Sequence, residues 1–267
     1  MPLDAPVIST VFPCQDGTRF ITPLLKIRPI GLILLRFAFH REDSRGLDPA
    51  DRLYSDRVSN SLRSTEMNLQ ELTVVPLTPE RWEDYETLFG EHGAYGGCWC
   101  MWWRVTRSEF EKNQGEGNRL AMRRIVESGE VPGVLAYCRG EAIAWCSIAP
   151  RGRFASLNRS PVLKPIDPLP VWSLVCLFVA RAYRGQGVTE ALVRGAVAYA
   201  RAQGARVVEA YPTIPQAKKL TPVSSFMGVP QIFERAGFVE CARPSRQKAI
   251  LRYFIESEEG EGKAQGL

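Results

Sequence analysis

The chain contains no apolar run long enough to span a bilayer, so no transmembrane helix and no membrane partner are expected. Its most apolar early stretch, Pro29–Phe39 (PIGLILLRFAF), is short, is interrupted by Arg36 and lacks a small-residue cleavage site, which argues against a secretory signal. Histidine is scarce. His40 and His92 are the only two, and neither stands in a visible nucleophile–base pattern. The seven cysteines are odd in number and scattered, which excludes a fully paired disulfide framework and makes a reducing cytoplasm the simplest location. Cys98 and Cys100 form a C-x-C pair with no second Cys or His pair, too few ligands for a closed zinc site, so no metal is expected. Charge of one sign is not in large excess either. A formal net charge of +5 agrees with an anionic cofactor but is too small to point to nucleic acid.

What is present is organised around residues 171–212. Val171–Val179 is a nearly unbroken apolar run, as expected of a strand buried on both faces. Arg184-Gly185-Gln186-Gly187 is a basic turn. From Val188 the apolar residues Val188, Ala191, Leu192, Ala196, Tyr199 and Ala200 fall at helical spacing, and Gly204 sits where a C-cap glycine belongs. Val207–Ala210 reads as a second strand. Glycines let successive backbone N–H groups converge, and the following helix adds its unsatisfied first-turn N–H groups and the positive end of its dipole. With Arg181 and Arg184 beside it, the turn suits a pyrophosphate. Two common phosphate motifs are excluded: there is no Gly-Lys-Ser/Thr ending, and the position three after Gly187 is Glu190 rather than a third glycine.

The pattern that remains resembles the acetyl-CoA-binding motif R/Q-x-x-G-x-G/A of the GNAT acetyltransferase superfamily. Arg184-Gly185-Gln186-Gly187-Val188-Thr189 matches at the arginine and the first glycine and departs at Thr189. Phe226–Phe238 (FMGVPQIFERAGF) is similar to the later helix of that family with its A-G-F ending. The resemblance implies an α/β (α+β) fold: a mixed, mostly antiparallel central sheet flanked by helices, with splayed central strands. It implies acetyl-CoA as co-substrate, held by Arg184, Gly185, Gln186, Gly187, Val188 and Thr189 at the pyrophosphate. Backbone groups of Leu177, Phe178 and Val179 would lie along the pantetheine arm, and a backbone N–H near Phe178 or Val179 would face the developing oxyanion. It further implies direct acetyl transfer to an amine through a tetrahedral intermediate.

The rest of the chain is read in order. Residues 1–66 are polar and aperiodic, expected to be a poorly ordered extension, and Met67 is a candidate true start; peptides recovered from before Met67 would sink that idea. Residues 67–255 form the domain, and residues 256–267 a solvated tail. Leu69–Pro76 reads as a strand, and residues 78–92 as a helix with Thr78 as N-cap. Residues 107–129 read as a loop followed by a helix from about Gly117, with Leu120, Ile125 and Val126 inward and Arg119, Arg123 and Arg124 solvated. Val134–Cys138 and Ala142–Ala149 form a hairpin, and residues 151–170 a long loop expected over the acceptor cleft. Val229–Ala236 is the final helix, and Phe238–Ala242 with Ala249–Phe254 the last strand pair.

The aromatic segment Gly96–Arg104 (GGCWCMWWR) admits several readings: a core plug, an acceptor-pocket wall formed by Trp99, Trp102 and Trp103, a metal pair, or a redox pair. Plug and wall together are favoured. Where the resembled family commonly places a Tyr acid, this chain has Phe233. Tyr211 and Ser225 are candidate substitutes, and Glu209, Glu141 or a water relay candidate bases. Cys176 is a conceivable acyl nucleophile, though a structural thiol is commoner. The favoured function is acetyl-CoA-dependent N-acetyl transfer to a small-molecule or peptide amine. The alternatives are a non-catalytic acyl-CoA-binding regulatory module and a redox or metal protein built on Cys98 and Cys100. A homodimer is left open.

Overall fold

The computed structural model describes residues 72–216 and 225–256. The expectations for residues 1–66, for Met67 as a start and for the tail beyond residue 256 lie outside these residues. Described in chain order are strand β1 (Thr73–Pro76), helices α1 (Trp82–Phe89), α2 (Arg107–Lys112) and α3 (Glu116–Glu127), and the hairpin β2 (Gly133–Cys138) and β3 (Glu141–Pro150). A single-turn helix α4 (Ala155–Asn158), strand β4 (Trp172–Val179), helix α5 (Val188–Ala202) and strand β5 (Val207–Ala210) follow. Helix α6 (Pro230–Arg235) and strands β6 (Val239–Ser245) and β7 (Lys248–Phe254) complete the set. Among the described residues the strands form one seven-stranded sheet in the order β1-β2-β3-β4-β5-β7-β6. Every neighbouring pair is antiparallel except β4 with β5. The mixed, mostly antiparallel sheet flanked by helices is therefore as the sequence implies.

Helix α5 lies against β1–β4, and one residue sets how closely. A Cβ on Gly195 would meet Val74 Cγ2 at 2.5 Å, so only a glycine permits this approach. The aromatic residues of α1 build a separate core: the Tyr85 and Phe89 rings lie 4.1 Å apart, and Tyr85 meets Trp145 of β3 edge-on at 4.9 Å. Trp99 stacks on Phe89 at 5.6 Å, which makes the Cys-Trp-Cys segment the plug of this core.

Four expectations need correction. Arg107–Lys112 is a helix rather than a loop, because Thr106 and Glu109 form a capping box in which each side chain satisfies the other's backbone N–H. In α3 the buried positions are Asn118, Met122 and Val126, while Leu120 is exposed. Arg119 there is no free surface group, since it pairs with both Glu86 and Glu116. Lastly, residues 151–170 pack into a second core through Phe154, Leu157 and Leu163.

The sheet opens at β4. Parallel pairing with β5 runs through Trp172, Ser173 and Leu174 and then stops. On the other side, Ile148 pairs with Leu174 and Ser147 with Cys176, so Val175 has no opposite number on β3. An extra residue of this kind bends its strand. The bend carries Cys176–Val179 away from β5 and leaves a fork between the two strands.

Candidate active site

A cavity of about 860 Å³ occupies the fork. One wall is the free end of β4, Cys176 to Val179, with Arg184 and Thr189 of the turn. Ser225, Phe226, Gly228, Val229 and Ile232 line the side that leads into α6. Phe89, Tyr95, Cys98, Cys100 and Trp102 face them, joined by Arg107, Phe110 and Glu111 of α2 and by Gln114.

The turn is shaped for an anion. Gly185 and Gly187 have φ of 77° and 82°, and the left-handed Gly187 is the N-cap of α5. A Cβ at Gly185 would meet nothing within 4 Å, so the loop is open on that side. Arg184 Nε donates to the Val179 carbonyl at 2.8 Å and fastens the turn to the strand end, and Gln186 Nε2 donates to the Ala182 carbonyl at 2.8 Å. Val188 is buried under the turn, while Thr189 reaches the cavity.

Hydrogen-bond alternation along β4 sorts its backbone groups. The Ala180 N–H donates to the Ile143 carbonyl, so Phe178 also pairs with β3, and Leu177 and Val179 turn their polar groups to the fork. The Leu177 N–H is already engaged, donating to the Phe226 carbonyl at 2.7 Å. The Val179 N–H is the one this pattern presents to the cavity.

Glu209 and Tyr211 lie elsewhere. Both are fully buried in a network at the paired end of β4. Arg151 Nη1 donates to Glu209 Oε1 at 3.1 Å and to the Tyr211 hydroxyl at 2.8 Å, while Arg252 Nε donates to Glu209 Oε2 at 2.7 Å. The Tyr211 hydroxyl donates to Glu209 Oε1 at 2.7 Å and lies 2.7 Å from Ser173 Oγ. Burial, with the Glu209 charge adding to it, raises the Tyr211 phenol well above its ordinary range. Neither residue lines the cavity, whereas Ser225 does. Phe233 is buried, and its ring packs on Phe238 at 5.3 Å.

Of the three tryptophans, Trp102 alone is on the cavity wall. Trp99 belongs to the α1 core, and Trp103 packs against the second core around Phe154. Nor do residues 151–170 reach the cavity; they lie at the far end of β4, where Asp167 bonds Arg252. The wall residues missed in the sequence, Arg107, Phe110 and Glu111, are carried by α2. Its signal was the Thr106-x-x-Glu109 box.

The acetyltransferase (GNAT) family model matches residues 99–219, from the aromatic plug through the glycine turn to the residues after β5. Over those residues the chain is similar to the GNAT acetyltransferases. Among solved structures, a GNAT-family acetyltransferase from Streptococcus agalactiae is 12% identical over 72% of this chain and 99% of that one, with a TM-score of 0.45. The structure described as histone acetyltransferase HPA2 and related acetyltransferase, from Corynebacterium glutamicum, is 18% identical over 71% of this chain and 99% of that one, with a TM-score of 0.42. The PaiA N-acetyltransferase of Thermoplasma acidophilum, solved with coenzyme A, is 11% identical over 69% of this chain and 99% of that one, with a TM-score of 0.40. No curated protein matches the chain. No described helix is long and apolar enough to cross a membrane, and among the described residues no group of His, Cys, Asp or Glu is placed to hold a metal ion.

Proposed function

We propose that this domain transfers an acetyl group from acetyl-CoA to an amine of a small molecule or peptide. One observation carries the reading: the glycine turn that caps α5 and the unpaired edge of β4 open onto the same cavity. The residues fit the co-substrate. The turn from Arg184 to Thr189 offers converging N–H groups and a helix N-terminus to a pyrophosphate, and its open side at Gly185 leaves room for one. The co-substrate supplies an activated thioester. The fork accepts an extended arm beside Val179, as an added strand is accepted at a sheet edge. The Val179 N–H is fixed in direction by the strand and is aimed into the cavity, the arrangement needed to stabilise an oxygen that gains charge. Ser225 is the hydroxyl on the opposite wall and the candidate proton donor to the departing sulfur. Glu209 and Tyr211 drop out of the chemistry, because they lie in a buried network away from this wall. The free cysteines support a reducing cytoplasmic setting.

A non-catalytic acyl-CoA-binding role is favoured by a single feature, the buried Phe233 where the resembled family has a Tyr. Calorimetric titration with acetyl-CoA, followed by thiol-release assays on an amine panel, separates the two. Binding with turnover supports the enzyme, and binding without turnover on any amine supports the module. Gly187→Val places a β-branched residue at a φ of 82°, which costs at least ~1–2 kcal/mol, so acetyl-CoA affinity is expected to fall tenfold or more. Unchanged affinity in that variant overturns the assignment of the turn.

A further inference from the structure

The cavity wall beyond the β4 edge is aromatic and poor in bases. Phe89, Trp102, Phe110 and Phe178 supply rings, and among the described residues the lining contains no histidine and no aspartate. The thiols there do not serve. Burial pushes Cys98 up to about 12, contact with Cys100 together with burial raises Cys176 well above its ordinary value, and Cys100 Sγ accepts a hydrogen bond from Trp145 Nε1 at 3.0 Å. Tyr95 is an exposed phenol at the mouth. Among the described lining residues Glu111 is the sole carboxylate; it is solvent-exposed and accepts from Arg107 Nε at 2.6 Å. The other charged lining groups, Arg107 and Arg184, are cations.

The face that would attract a substrate ammonium is also taken. The Arg107 guanidinium carbon sits 4.3 Å from the Trp102 ring centroid, so a cation already occupies that cation–π position. An alkylammonium entering this cavity would leave water to meet one carboxylate already paired with an arginine and a tryptophan face already held by the same arginine. It would also find no buried group to take its proton. At pH 7 an alkylamine of pKa near ~10.4 is uncharged in about one molecule in 2,500.

We propose that the acceptor is an amine already uncharged at neutral pH and carried on an aromatic or apolar body, an arylamine being the plain case. The proposal rests on the acetyl-transfer reading. The amine lone pair forms the new N–C bond, the C–S bond breaks with its electron pair going to sulfur, and the N–H proton ends on that sulfur, giving the amide and free CoA thiol. No deprotonation precedes attack, so no base is required in the wall.

Aniline and benzylamine test this, since they share a ring and differ mainly in basicity. With acetyl-CoA and the full chain, aniline is expected to exceed benzylamine in kcat/KM at least tenfold at pH 7. The aniline rate should stay flat from pH 6 to 9, while the benzylamine rate climbs close to tenfold per pH unit as its free base appears. Equal or faster turnover of benzylamine at pH 7, or a benzylamine rate flat with pH, overturns the proposal, because a group on the protein would then be taking the proton. Acetyl-CoA binding by calorimetry without turnover of aniline also overturns it while leaving the cofactor site standing. Absence of acetyl-CoA binding instead removes the underlying reading and the proposal together.

Discussion

Glu209→Gln separates a structural from a chemical role at the buried network. The carboxylate is fully buried and accepts from Arg151, Arg252 and Tyr211, and the two arginines are themselves 9% and 3% exposed. Neutralising it leaves two buried guanidinium groups facing an amide. Removing one partner of a buried pair costs ~3–5 kcal/mol, and Asp167, which remains on Arg252, holds the loss near the lower figure. With a urea m-value of ~2 kcal/mol per M, that is a fall of about 1.5 M in the unfolding midpoint. Urea titration followed by tryptophan fluorescence reads it directly. Turnover by the folded fraction, assayed well below the transition, should keep the pH profile of the parent. A midpoint unchanged within about 0.3 M, combined with a hundredfold loss of kcat and a lost acidic limb, would refute the reasoning and restore Glu209 as a base.

Two further tests address other parts of the fold. Thr106→Ala removes the capping box of α2 and is expected to cost ~1 kcal/mol of stability. Because α2 carries Phe110 and Glu111, its KM for the acceptor should rise while acetyl-CoA affinity, by calorimetry, stays put. Lys248 donates to the Tyr211 carbonyl, Thr213 Oγ1 and Met227 Sδ, and burial pulls its pKa down to about 8. Below pH 8 both folded and unfolded chains hold the proton and the penalty is complete. Between about 8 and about 10.4 the unfolded chain binds more proton, so this group makes stability rise with pH. Lys248→Met should abolish that rise, seen as a difference in urea midpoints between pH 7 and 9.5 relative to the parent chain.

The parts of the fold legible in the sequence were those fixed by local chemistry. The apolar run of β4, the Gly185–Gly187 turn, the spacing of α5 and the glycine after α6 each declare themselves within a few residues. The Thr106-x-x-Glu109 box is equally local, and it marks the helix that carries a third of one cavity wall. Glu209 and Tyr211 were beyond any local argument. On β5 they look like polar residues beside a cleft, and only the arrival of Arg151 and Arg252 from 58 and 43 residues away makes them a closed ionic cluster. Trp102 and Trp103 are neighbours in the chain and face different cores, because residues 101–104 form a turn that sends successive side chains apart.

The short pairing between β4 and β5 also has a mechanical consequence. In the backbone, three residue pairs and the Leu177–Phe226 bond join a sheet half made of β1–β4 to one made of β5–β7, and the Arg151–Glu209–Tyr211 network closes that seam at one end only, leaving the fork end thinly bonded. Helices α5 and α6 stitch it from one side through Glu190 and Arg194, both of which bond Arg235. Those two stitches spring from the first two turns of α5, directly behind Gly187. An anion gripped at that turn would stiffen the helix end from which the stitches hang, and a tear along the seam would have to begin by letting it go.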